Sequence, residues 1–189
     1  MRKLLKCMMI GAMALAVMSQ TGNYSEAASS RQISITQKNF PSKDLRKELR
    51  KSYDKNKDGK LSKAEIKGIK YLNVDSKKSK SISLKGVQYF TNLRSLDLYA
   101  VNVKSIDLSK NKKLRSLNLA ATTVRKIKLS KNLHDVYFAV EKMPCTLDFR
   151  GFKKLDRIHL DQGHYNKLNA SGSSVRLIAQ GNYPVALKN

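Results

Sequence analysis

The sequence predicts an α/β repeat fold: a short solenoid with one short strand per turn of about 20 residues, closed at its N-terminal end by a helix–loop–helix. Two observations predict it. From Leu93 onward an apolar pattern recurs with periods of 21, 19, 22 and 20 residues. Upstream, Asp54 to Glu65 reads DKNKDGKLSKAE, which sets oxygen-bearing side chains at the first, third, fifth, ninth and twelfth places, with a glycine at the sixth. The expected division is a signal peptide over residues 1–27, a flexible leader over 28–39, a helical cap over 40–73 and repeats over 74–189. The repeats amount to about five turns, the last ones irregular.

The first residues set the compartment. Arg2, Lys3 and Lys6 precede an apolar run of 11 residues, Met8 to Met18. Crossing a bilayer takes about 20 such residues, so this run is too short for a membrane anchor. Ser25-Glu26-Ala27 places small residues at −3 and −1 of a cleavage site before Ala28. A secreted, extracellular protein is expected, with no transmembrane segment in the mature chain. Cleavage removes three cations and one carboxylate and leaves +22 of the +24 formal charge. Cys145 is then the one cysteine left, expected as a small buried hydrophobe. Residues 28–39 are polar and without a period, hence the flexible leader.

The cap begins at Ser42, an N-cap before Leu45, Leu49 and Tyr53, which recur at i, i+4 and i+8 on one helix face. A second helix opens at Ser62, with Glu65 three places on in a capping-box spacing and Ile66, Ile69 and Leu72 on its buried side. Between the helices lies the acidic run. Asp54, Asn56, Asp58, Ser62 and Glu65 offer side-chain oxygens, Lys60 its backbone carbonyl, and Gly59 the sharp turn. A hard dication takes roughly six to eight oxygens, and this is the EF-hand spacing, so the expected ion is Ca2+. No second such run exists in the sequence. Lys55, Lys57, Lys60 and Lys63 oppose its three carboxylates. The expected affinity is therefore weak, about 10⁻⁴–10⁻³ M, suited to stabilising the cap rather than to sensing.

In each repeat the apolar places are 1, 4, 6 and 11, with 14 and 16 added in the full copies. In the first copy these are Leu93, Leu96, Leu98, Val103, Ile106 and Leu108; in the second, Leu114, Leu117, Leu119, Val124, Ile127 and Leu129. Half a copy precedes them, with Leu72, Val74, Ile82 and Leu84 at matching places. The spacing L-x-x-L-x-L-x-x-x-x-V is the leucine-rich-repeat signature. One turn cannot bury its own leucines, so turns stack into a continuous core. The two cap helices are expected to cover its first, open end.

Leu84-Lys85-Gly86-Val87-Gln88-Tyr89-Phe90-Thr91-Asn92-Leu93 resembles the segment that leads into the repeats of internalin-like bacterial surface proteins. Ile106 to Asn111 (IDLSKN) and Ile127 to Asn132 (IKLSKN) are similar to segments of secreted leucine-rich-repeat proteins of gut Firmicutes. The resemblance covers residues 40–132 and, more weakly, 133–189. It implies a helical, EF-hand-like cap ahead of the repeats. One departure stands out: the ninth-place asparagine of that family is replaced by Val101, Thr122, Glu141, Gly163 and Tyr183, so less regular loops are expected. No wall-sorting motif ends the chain, so covalent anchoring is not expected.

A charge of +24 points to an anionic partner. Solenoids of this kind bind on the outward places of their strands. Arg94, Tyr99, Arg115, Tyr137, Arg157 and Arg176 occupy such places and are the candidate ligand-binding residues, because arginine forks onto carboxylates and phosphates and tyrosine adds rigid area. Lys110, Lys112, Lys113, Lys128 and Lys131 sit at turn places, as solubilising charge. No nucleophile, base and orienting group assemble, so no enzyme is expected. The expected protein is a monomeric, secreted, calcium-binding leucine-rich-repeat module. Its partner would be a protein or an anionic polymer of wall or glycan at the cell surface, where charge would retain it; specific nucleic-acid binding is not expected. The alternative is a dockerin-like adaptor that uses the EF-hand region as its interface, against which the single calcium loop counts.

Overall fold

The computed structural model describes residues 32–75, 81–140, 142–161 and 164–179. The expected signal peptide and residues 28–31 of the leader lie outside them. No helix of the described residues is long and apolar enough to cross a membrane.

The leader is ordered from β1 (Ile33–Ser34) onward, which corrects the expectation of a flexible segment as far as Asn39. β1 pairs antiparallel with β2 (Lys60–Leu61), and Ile35, 1% exposed, packs into the core. The Asn39 amide closes the following turn onto the Ser34 carbonyl at 2.9 Å. A strand this short carries no period, so its partner had to be seen in space.

Helix α1 (Lys43–Ser52) starts where expected, with the Ser42 hydroxyl accepting from the Leu45 N–H at 3.2 Å. Asp44 in its first turn and Arg50 and Lys51 in its last suit the helix dipole. Leu45 and Leu49 are fully buried on the stripe that the i, i+4 spacing predicted. Helix α2 (Lys63–Gly68) opens on the Ser62–Glu65 capping box and ends at Gly68. Leu72 is therefore not on a helix face. It lies in β3 (Tyr71–Asp75), the first strand of the solenoid, so the expected boundary at residue 73 falls inside a strand. The ladder to the next strand decides the conformation there, in preference to continuing the helix.

The main sheet is parallel, with strand order β14 (Arg176–Ala179), β12 (Arg157–Asp161), β10 (Asp135–Ala139), β7 (Ser116–Ala120), β4 (Ser95–Tyr99), β3. Register is the same at every step. Leu72, Leu96, Leu117, Val136, Ile158 and Leu177 form one row; Val74, Leu98, Leu119, Phe138, Leu160 and Ala179 form the next. Alternation sends these rows, as far as Ile158 and Leu160, to the core and the residues between them outward. A second parallel sheet, in the order β13 (His164–Asn169), β11 (Lys142–Asp148), β8 (Thr123–Val124), β5 (Asn102–Val103), forms the opposite wall. The short pair β6 (Ile106–Asp107) and β9 (Ile127–Lys128) completes the return. The result is a short β-solenoid of about four turns, against about five expected; β14 is all that is described of the truncated last copy.

The ninth place proves regular in the first two copies despite lacking asparagine. Val101 and Thr122 are each 1% exposed and lead directly into the paired strands β5 and β8. The place before each, Ala100 at φ 52° and Ala121 at φ 49°, makes the left-handed step that ends the strand. Further on, register slips between Met143 and Thr146 where β11 meets β13.

The motif Leu84 to Leu93 joins the helical segment to the repeats. Gly86 adopts φ 105°, and a Cβ there would lie 2.2 Å from Phe40 Cδ1, so only glycine fits. Phe40 is fully buried, stacked on Phe90 at 6.0 Å and edge-on to Tyr89 at 6.2 Å. Burying a ring of this size stabilises by roughly 2–3 kcal/mol. Tyr53 donates its hydroxyl to the Tyr71 carbonyl, and Asn92 donates to the Lys67 carbonyl at 3.0 Å. Helices and first strand share one continuous core.

Candidate functional site

Three surfaces carry the chemistry: the loop between α1 and α2, the outer face of the main sheet, and the flank formed by the return segments.

In the loop, Asp54 is 5% exposed. Its two carboxylate oxygens accept from the N–H groups of Asp58 and Gly59, at 3.1 and 3.0 Å. The Asn56 side-chain oxygen accepts from Asp58 N–H at 3.3 Å, and Asp58 from Lys60 N–H at 2.8 Å. Lys57 at φ 59° and Gly59 at φ 75° make the left-handed steps that allow these bonds. Glu65 closes the loop from its far end. One oxygen accepts from Lys55 N–H at 2.7 Å, the other from Ser62 N–H and the Ser62 hydroxyl, each at 2.8 Å. These bonds, the Ser62 N–H foremost, hold the Glu65 carboxyl below the usual carboxylate range. Lys60 lies in β2, and the side chains of Lys55, Lys57, Lys60 and Lys63 are exposed.

The donors thus present a set of hard oxygens on one tight loop, the chemistry a divalent cation of the calcium type takes. Among the described residues, however, no three His, Cys, Asp or Glu side chains are gathered closely enough to hold a metal. Asp54, Asp58 and Glu65 are turned to the loop's own N–H groups instead.

The outer face of the main sheet brings the predicted ligand-binding residues onto one surface, in two unlike halves. Arg94 and Arg115 are exposed at the edge leading into β4 and β7, and Tyr99 is 50% exposed at the end of β4. In the other half the side chains are already engaged. Arg157 Nε donates to Asp135 at 2.6 Å. Tyr137 stacks on His159 with ring centres 4.8 Å apart and donates its hydroxyl to Asp161 at 3.3 Å. Burial, followed by the charge of Asp161, pushes the Tyr137 phenol up. His134 meets Asp156 at 3.3 Å. Arg176 stands in register beside Arg157. Tyr71, 63% exposed on β3, joins this face and was missed from sequence because its segment was assigned to the cap.

Charge on this face is balanced. Asp75, Asp97, Asp135, Asp156 and Asp161 offset Lys70, Arg94, Arg115, Arg157 and Arg176. The excess positive charge lies elsewhere. In residues 100–113 and 121–134, the return segments, eight Lys and Arg face one acid, Asp107. Asp107 is held below its ordinary range, first by the Ser109 hydroxyl and N–H and then by Lys128 and Lys110.

The regular ladder, the leucine rows and the helical segment ahead of them invite comparison with solved solenoids. One match is an internalin of Listeria monocytogenes, with a TM-score of 0.56 and 22% identity. The fold is internalin-like. The match covers 78% of this chain and 45% of that protein, so the chain spans less than half its length. No family model matches the sequence, and no curated protein matches it.

Proposed function

We propose that this chain is a secreted leucine-rich-repeat module, without catalysis of its own, that binds a protein on the outer face of its main sheet. In this reading calcium in the Asp54–Glu65 loop stabilises the N-terminal cap. The observation that carries the reading is the outer face itself: a charge-balanced parallel surface with exposed Tyr71 near Arg94 and Arg115, which have no side-chain partner among the described residues, and with exposed Tyr99 at the far end of β4. Rigid aromatic area next to free guanidinium groups is what protein interfaces select, and a balanced face favours a specific partner over any polyanion.

The calcium part rests on the donor set. Asp54, Asn56, Asp58, Ser62 and Glu65 by side chain, and Lys60 by its carbonyl, are the groups that would hold the ion in an EF-hand. The ion would supply positive charge to the three carboxylates that the loop carries, which would have to draw together around it. Asp58 and Glu65 would have to leave their present N–H partners, which is one reason to expect weak affinity. Secretion is supported by the sequence of residues 1–27 and by the kind of fold.

The test is capture from wall and host extracts at physiological salt with calcium present, comparing the natural protein with the double variant Tyr99→Ala, Arg115→Ala. A partner held by the natural face and lost, at least tenfold, by a variant of unchanged melting temperature supports the reading. Equal capture by both proteins, or capture no greater than by an unrelated protein of matched charge, overturns it.

A further inference from the structure

The flank holds a second concave surface, apart from the outer face of the sheet. A cavity of about 850 Å³ opens between the start of α1 and the return segments, lined by Lys43, Lys104, Arg125 and Lys126 together with the hydroxyls of Ser42, Ser81, Ser83 and Ser105. Asp44 is the only carboxylate among the described residues of its wall. A smaller hollow of about 420 Å³ shares Ser81, Lys104 and Arg125 and prolongs the groove along β5 and β8, past Asn102 and Thr123.

The arrangement sets like charges side by side. Val103 and Val124 are register partners, so Lys104 and Arg125, which follow them, stack on neighbouring turns. Parallel strands lie about 4.8 Å apart, and like charges set directly opposite one another across a ladder are destabilising. Neither side chain has a hydrogen-bond or ion-pair partner among the described residues, and Lys126 extends the same row of positive charge. In the far half of the outer face, by contrast, Arg157 has Asp135 as its partner. Arg94 and Arg115 also stand on neighbouring turns, but on the open outer face, whereas Lys104 and Arg125 stand beside a cavity.

We propose that this groove binds an extended phosphodiester polymer, with Lys104 and Arg125 each engaging a phosphate and Lys126 and Lys43 extending the track. Arginine and lysine charges, serine hydroxyls and a groove that runs from turn to turn suit a chain of tetrahedral oxyanions. A single small anion would leave most of the groove empty. The partner on the outer face of the sheet plays no part, so both sites can be filled at once.

The experiment titrates the full chain at 150 mM salt with a poly(glycerol phosphate) oligomer of about ten units, with polyglutamate of equal charge and with a heparin oligosaccharide as comparisons. The groove variant is Lys104→Gln, Arg125→Gln. The control, Lys110→Gln, Lys112→Gln, removes the same charge from exposed turns elsewhere. The expected result is a tenfold or greater loss of phosphate-polymer affinity in the groove variant, a loss under threefold in the control, and polyglutamate at least tenfold weaker. The polymer should also raise the melting temperature of the natural protein and of the control, but not of the groove variant. Equal losses in the two variants, or polyglutamate binding as well as the phosphate polymer, reduce the groove to general charge attraction and overturn the proposal. Tighter binding of heparin overturns the phosphodiester assignment.

Discussion

Asn111 offers a quantitative test of what holds the turns in register. It is fully buried, and its amide N–H₂ donates to the carbonyls of Val87 at 2.9 Å and Phe90 at 3.0 Å, one turn back. Both carbonyls keep a backbone bond as well, from Phe90 N–H and Leu93 N–H, so replacing Asn111 by alanine orphans neither. The cost is then two neutral hydrogen bonds at about 1 kcal/mol each, plus about 1 kcal/mol for the void. Against this, the Asn111 side-chain oxygen is buried without a partner among the described residues, and removing it returns about 1 kcal/mol. The net expectation for Asn111→Ala is a loss of about 2 kcal/mol, or roughly 4–8 °C in melting temperature for a chain of this size. Asn132 holds the equivalent place in the next turn but is partly exposed and makes one bond, to the Lys112 carbonyl at 2.8 Å. Asn132→Ala should cost under about 0.5 kcal/mol. Urea unfolding of both variants, followed by circular dichroism, measures the pair. An Asn111→Ala protein within about 0.5 kcal/mol of the natural one, or equal losses at the two sites, would refute the reasoning.

Two further outcomes follow from single carboxylates. If calcium occupies the loop, chelation should lower the melting temperature and Glu65→Gln should abolish the calcium-dependent part, with half-saturation near 10⁻⁴–10⁻³ M, on the order expected of extracellular modules. A submicromolar constant by calorimetry would contradict the stabilising role. Asp97 is half-buried between Asn73 and Asn118 in the ladder, and burial raises its carboxyl, with only the Ser95 hydroxyl at 3.5 Å opposing. A raised acid favours the fold below its unfolded value near 3.8, and that contribution is lost as pH rises through the folded value. Asp97→Asn should therefore stabilise at pH 7, by less than about 1 kcal/mol because the group is half in solvent, with the gain shrinking toward pH 4. Melting curves of both proteins at matched pH read it; a gain that grows on acidification would reverse the argument.

What the sequence made legible is what repeats or what is local. The rows through Leu96 and Leu98 follow from a period and from strand alternation, and Ser42 and Ser62 announce their helices within four residues. The oxygen spacing of the loop was equally local. What escaped depends on contacts far apart in the chain. β1 is recognisable only by its pairing with Leu61, and Gly86 only by the ring of Phe40 against it. Asn111 left a signal that was open to use, since Ser-Lys-Asn recurs at Ser130-Lys131-Asn132, yet only burial separates the structural copy from the exposed one. Lys104 and Arg125 likewise share one place in successive copies. Their meaning as a groove needed the start of α1 to be set beside them.

The ordered leader bears on the calcium role proposed for the Asp54–Glu65 loop. EF-hand loops commonly come in pairs, joined by short antiparallel strands through which each loop steadies the other. Here β1 supplies that strand. It pairs with β2 at the middle of the loop, the Ile35 N–H reaches the Gly59 carbonyl at 2.9 Å, and Arg50 of α1 clamps the Ile35 carbonyl at 2.6 Å. The loop is thus steadied by a segment that carries no Asp or Glu, so its backbone is set by pairing with β1 and not by a second loop. The same pairing covers the β2 edge that an adaptor would need for docking through the loop. The β2 edge is thereby closed to a further strand, and the loop is held at the N-terminal end of the solenoid.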